Sequence, residues 1–139
     1  MLIDIRYLVD TSAIVRLVCP GAVEVLSPLI EAGQLATCAV VDLDLLSLVN
    51  DPGELDEIRD LRAAAFAWLA TEDVDLRRAL EVQRLLATNG HHRVAWAALV
   101  VAAVAERHRV AVLHGAAVFD RIAEATGQPV RWIVPEPTP

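Results

Sequence analysis

The stretch from Val94 to Leu113 constrains the fold more than any other. Val94 to Ala105 is an unbroken apolar run of twelve residues. A membrane-crossing helix needs about 20, so the run predicts an interior helix, continuing to His108, that is apolar nearly all round. Val110-Ala111-Val112-Leu113 follows at once. A continuous apolar tetrapeptide reads as a strand covered on both faces, as in a parallel sheet. A buried helix feeding a buried strand requires layers on both sides of a sheet.

The rest of the chain repeats that alternation. Arg6-Tyr7-Leu8-Val9 is a β-favouring run ending in Asp10, and Thr11-Ser12 lead into an apolar helical stretch, Ala13 to Val18. An acid and hydroxyl residues at a strand end are suited to capping the next helix. After Pro20-Gly21, the spacing of Val23, Leu26 and Ile30 predicts an amphipathic helix over 22–32, stopped by Gly33. Leu35 to Val40 reads as a second strand and Val41 to Val49 as a buried helix. Leu55, Ile58, Leu61, Ala65, Trp68 and Leu69 predict an amphipathic helix over 54–69 with acids and arginines opposite. Thr71 to Asp75 suits a capping segment, Leu76 to Ala87 a helix, and Asn89-Gly90 its end. A short helix over Phe119 to Ala125 and a last strand over Val130 to Val134 complete the pattern. Alternating strands and helices imply an α/β domain with a mainly parallel sheet.

Composition bounds what such a domain can do. With 139 residues, 55% hydrophobic and 22% charged, the chain is too apolar for disorder and about one domain long. Residues 1–134 are expected to form it, with a mobile Pro-rich tail over 135–139. The net charge of −7 argues against binding polyanions through bulk charge. All 12 basic residues are arginine, which excludes chemistry that needs a lysine. Cys19 and Cys38 have no metal-type spacing and suit a reducing compartment. Asp4 interrupts the apolar start, so no secretion signal is read there. The expectation is a soluble, cytoplasmic protein.

Ligands of open α/β sheets bind beyond the carboxyl ends of strands, and Asp10 stands at such an end. Asp42 and Asp44, two positions apart on a helix, point about 200° away from each other, so only one can face Asp10. Asp44 shares an apolar face with Val40, Val41, Ser47 and Leu48, where a carboxylate needs a partner, a proton or a cation. Asp42, nearer the helix start, suits a cap. Two other acid-dependent α/β classes fail on residues. A phospho-receiver domain needs a lysine, and a haloacid-dehalogenase-type phosphatase needs an acid where Ser12 stands.

Tyr7-Leu8-Val9-Asp10-Thr11-Ser12-Ala13 resembles the opening motif of PIN domains, and within them the VapC-type toxins of toxin–antitoxin systems. Further segments resemble that family in order: Leu35-Ala36-Thr37-Cys38 leading into Val41-Asp42-Leu43-Asp44-Leu45; Glu81-Val82-Gln83; Gly90-His91-His92-Arg93; Ala102 to His108; Val112-Leu113-His114; Phe119 to Ala123; and Gly127-Gln128-Pro129-Val130 leading into Trp132. The resemblance spans almost the whole chain. It implies a three-layer α/β/α fold, Mg²⁺- or Mn²⁺-dependent RNA cleavage by three or four carboxylates, a VapB-like antitoxin, and a homodimer.

Carried over residue by residue, Asp10 matches the first acid, and Asp44 stands where the family usually has glutamate. The third acid falls at Ala98 and the fourth at Ala116. Thr11, Ser12, Asp42, Arg93 and His114 are candidate supporting groups, and Asp120 a substitute ligand, although its place in Phe119-Asp120-Arg121-Ile122 suggests the solvent side of its helix. With two acids missing, the expectation is weak or absent Mg²⁺ or Mn²⁺ binding and crippled or lost catalysis. The alternative is a catalytically inactive PIN domain that binds an antitoxin or a second copy. Trp68, Trp96 and Trp132 are assigned to core or interface.

Overall fold

The computed structural model describes residues 4–135; residues 136–139 of the expected tail lie outside them. Five short strands form one wholly parallel sheet: β1 (Tyr7–Val9), β2 (Leu35–Thr37), β3 (Ala67–Trp68), β4 (Ala111–His114) and β5 (Val130–Trp132), in the order β3-β2-β1-β4-β5. Tyr7 is in register with Leu35 on one side and Ala111 on the other, and Val112 with Val130.

Side chains of successive strand residues point to opposite faces, and the core divides accordingly. Leu8 and Val112 face one layer, packed on α3 (Ala39–Leu46), α5 (Asp73–Thr88), α6 (Trp96–Arg107) and α7 (Val118–Thr126) through residues such as Val41, Leu86, Val101 and Ile122. Val9, Leu35 and Leu113 face the other, packed on Ala13 of α1 (Thr11–Ile14) and on Ala22 and Leu26 of α2 (Ala22–Glu31). This is the expected three-layer α/β/α architecture. Eight consecutive residues of α6, Ala98 to Ala105, are buried, as the apolar run predicts.

Several local expectations are corrected. The helix expected over 54–69 is α4 (Pro52–Ala65), capped by the Asp51 side chain, and Ala67–Trp68 is an edge strand. Its inner stripe runs through Leu55, Ile58 and Arg62, whereas Leu61 is 69% exposed. The stripe therefore includes an arginine, which apolar periodicity passes over. The second strand ends at Thr37, three residues early. In α3 only Val41 is buried, so this helix is a surface element, not an interior one. On α2 the inward residues are Ala22 and Leu26, while Val23 and Ile30 face outward. Trp68 and Trp96 are both exposed, not core. No helix among the described residues is long and apolar enough to cross a membrane.

Candidate functional site

The chain leaves β1 toward β2 and β3 on one side, then returns to β4 and β5 on the other. The crevice beyond the carboxyl ends of β1 and β4 is thus the topological switch point, the usual ligand position in such sheets. Asp10 stands there. Its backbone N–H donates to Leu113 O across the ladder, and its side chain accepts from Ser12 N at 3.0 Å, capping α1. The β1 and β4 loops are knitted together: Gly115 N donates to Ser12 Oγ at 2.9 Å, and Arg16 donates to Gly115 O at 3.0 Å. The Thr11 hydroxyl donates to Val41 O at 3.3 Å and ties α1 to α3.

Burial pushes the Asp10 carboxyl above its ordinary pKa; hydrogen bonds from Ser12 oppose this, and the Asp44 charge adds to it. Asp10 and Asp44 therefore lie within electrostatic reach of one another. Asp44 is exposed on α3, not enclosed by the apolar face expected for it. Neither acid belongs to an ion pair among the described residues.

Asp42 is committed elsewhere. Its Oδ1 accepts from Arg62 Nε at 2.5 Å and from Thr37 Oγ1 at 2.7 Å, and Arg62 also donates to Thr37 Oγ1 at 2.6 Å. The Arg62 guanidinium stacks 4.8 Å over the Phe66 ring. Asp42 thus anchors α3 to α4 across the end of β2. Arg62 escaped the sequence reading, although its position four residues after Ile58 on the inner stripe was the available signal.

Ala98 is buried in the first turn of α6, within the core. Ala116 is half-buried between β4 and α7. His114 ends β4 fully buried; Ala116 N donates to its Nδ1 at 3.2 Å, and its Nε2 has no hydrogen-bond partner. Burial pushes the imidazole pKa down, against the Asp120 charge, whose Oδ1 lies 3.8 Å from Nε2. Asp120 is not simply solvent-facing, as its motif suggested: it accepts from Trp132 Nε1 at 2.9 Å. Arg93 is exposed, with a left-handed backbone (φ 59°). Among the described residues no three or more His, Cys, Asp or Glu side chains gather as a metal cluster.

Known proteins are similar to this chain in sequence and in fold. The family model described as PIN domain matches residues 7–125. Ribonuclease VapC51 of Mycobacterium tuberculosis is 38% identical over 134 residues, covering 96% of this chain and 97% of the relative. Ribonuclease VapC21 of the same species is 38% identical over 130 residues, covering 93% and 94%. In structure, VapBC2 from Rickettsia felis bound to a promoter DNA fragment superposes with a TM-score of 0.72 at 13% identity, covering 92% of this chain and 98% of that one. VapBC from Salmonella typhimurium bound to DNA gives 0.73 at 12% identity, covering 94% and 99%. On these grounds the chain belongs to the PIN domain family.

Proposed function

We propose that this chain is a VapC-like toxin component, partnered by a VapB-like antitoxin, in which RNA cleavage is strongly reduced or lost. The relatives named as VapC ribonucleases and the VapBC complexes among its structural neighbours support the toxin and antitoxin assignment. The observation that carries the loss of activity is the make-up of the rim. The Asp44 charge reaches Asp10, no further acidic, histidine or cysteine side chain among the described residues gathers there into a metal cluster, and by the family resemblance Ala98 and Ala116 stand where further acids are expected.

A hard divalent ion takes six oxygen ligands in near-octahedral geometry and, when bound, activates water and offsets phosphate charge. The residues present do not fit a complete cage for it. The Ser12 and Thr11 hydroxyls are engaged in backbone contacts, and Asp42 is held by Arg62. Two carboxylates remain. A unit charge pair at ~4 Å and an effective dielectric of ~20 is worth roughly 4 kcal/mol before desolvation. Losing two such partners leaves Mg²⁺ or Mn²⁺ held weakly. What Asp10 and Asp44 do unaided is concentrate negative charge at the crevice, which repels phosphate and attracts cations. The alternative reading, an inactive PIN domain kept as a binding module, rests on the same rim.

Titration calorimetry with Mn²⁺ and Mg²⁺, beside a cleavage assay on single-stranded RNA, tests both. The expected result is divalent uptake at least about 10-fold weaker in the natural chain than in the Ala98→Asp/Ala116→Asp double variant. RNA cleavage by the natural chain is expected near background. Tight Mn²⁺ uptake by the natural chain, with RNA cleavage abolished by Asp10→Ala, overturns the proposal. Measurable but slow cleavage that disappears in Asp10→Ala excludes the binding-module reading alone.

A further inference from the structure

Trp96, the first residue of α6, is 67% exposed. It lines two neighbouring hollows. One, of about 270 Å³, is walled by Leu76, Leu80 and Gln83 of α5 and carries no charged side chain. The other, of about 320 Å³, is walled by Val40 and Leu43 of α3 with Ala97, and Asp44 and Ser47 line it too. The Ser47 hydroxyl donates to the Asp44 backbone oxygen at 2.6 Å. The Asp44 carboxylate is thus the one charged group of this second hollow, exposed and in no ion pair among the described residues. Its volume lies at the small end of the range that ligand pockets occupy.

We propose that this second hollow is a nucleobase subsite that selects guanine, with the base stacked on the Trp96 indole and its Watson–Crick edge turned to the Asp44 carboxylate. Unpaired nucleotides are recognised by stacking on aromatic side chains and by hydrogen bonds to that edge, and an exposed indole over an apolar floor is a platform for a flat ring. A carboxylate only accepts, through two oxygens. Among the four RNA bases, guanine alone turns two adjacent donors to such a pair, its N1–H and its N2 amino group. Adenine and cytosine set a ring acceptor beside their amino donor, and uracil flanks its N3–H with carbonyl oxygens, so each brings a lone pair against the carboxylate. A site built to satisfy paired donors rejects analogues that lack one more strongly than an apolar pocket can. The α5 hollow, without a carboxylate, lacks the paired acceptor. Charge points to the base as well: Asp10 and Asp44 penalise phosphate, so the attraction comes from the base and not from its backbone. The inference deepens the reading of the chain as an RNA-directed toxin, and it rests on that reading in needing Asp44 free of a tightly held cation.

Titration of the full chain with the four ribonucleosides, followed by NMR at the Trp96 indole N–H and the Leu43 and Ala97 amides, tests it. EDTA keeps the rim free of cations, so this test and the Mn²⁺ calorimetry fail separately. Guanosine is expected to bind at least about 10-fold more tightly than adenosine, cytidine or uridine, and more tightly than guanosine 5′-phosphate. Asp44→Asn puts a donor nitrogen in place of one acceptor oxygen and is expected to erase the preference for guanosine while weak stacking remains. Trp96→Ala is expected to lose binding of all four. Both side chains are exposed, so circular dichroism should show the fold unchanged in each variant. No shift at Leu43 and Ala97 with guanosine at about 1 mM overturns the proposal. So does an equal response to the four nucleosides, tighter binding of the 5′-phosphate, a preference that survives Asp44→Asn, or shifts confined to Leu76 and Leu80 of the other hollow.

Discussion

A Cβ added at Gly115 would lie 2.6 Å from the Ser12 carbonyl oxygen and 2.8 Å from Arg16 Cγ. The first contact is with backbone, so it cannot be relieved by turning a side chain. Gly115→Ala is therefore expected to destabilise the chain by about 1–3 kcal/mol, the usual cost of overpacking, measured as a lowered urea midpoint. It should also part the β1 and β4 loops that hold Asp10. Asp10 makes the opposite prediction. Its folded pKa is raised, so the unfolded state loses its proton first as pH rises, and the ionised carboxylate then costs stability. Asp10→Asn, which keeps the capping oxygen for Ser12 N, is expected to raise the melting temperature at pH 7. The gain should vanish as pH falls into and below the ordinary carboxylate range. A variant less stable than the natural chain at pH 7 would contradict the origin assigned to this shift.

Two helices are pinned by buried charge, and each pin is testable. Arg62 of α4 is 5% exposed and serves both Asp42 and Thr37. Removing it leaves an acid and a hydroxyl stranded at the end of β2, so Arg62→Ala is expected to cost about 3 kcal/mol. Arg62→Lys should recover only part of that, since an ammonium lacks the planar fork. At the start of α5, Asp75 accepts from the Glu72 N–H and from Arg107. Burial pushes its carboxyl upward, but the Arg107 and Glu72 hydrogen bonds outweigh this and hold it below its ordinary value. Asp75 thus contributes stability above the ordinary carboxylate range that is lost as pH falls through the depressed value. A pH series of denaturation midpoints should show this acid-side loss, flattened in Asp75→Asn. The capping role of Thr71 to Asp75 was legible because caps are local, between residues a few positions apart. The Arg62 pin was passed over, because a count of apolar residues skips an arginine even where it continues the stripe four residues after Ile58.

Restored acids at positions 98 and 116 should make the whole domain respond to cations. Millimolar Mn²⁺ is expected to raise the melting temperature of the Ala98→Asp/Ala116→Asp variant well above any effect on the natural chain, since a ligand that binds only the folded state stabilises it by mass action. Equal shifts in both proteins would mean that the two alanines do not stand at the cation's positions. Sequence alone carried the layered α/β plan, the interior helix before β4 and the capped acid at the end of β1. These follow from period, local capping and motif order, which are properties of neighbouring residues. Tertiary structure alone decided that Asp42 belongs to Arg62, that Asp120 meets Trp132 and His114, and that Trp96 stands between open hollows. Those pairings join residues far apart in the chain. Whether an apolar side chain is covered depends on which helix the sheet brings beside it, and no local pattern encodes that.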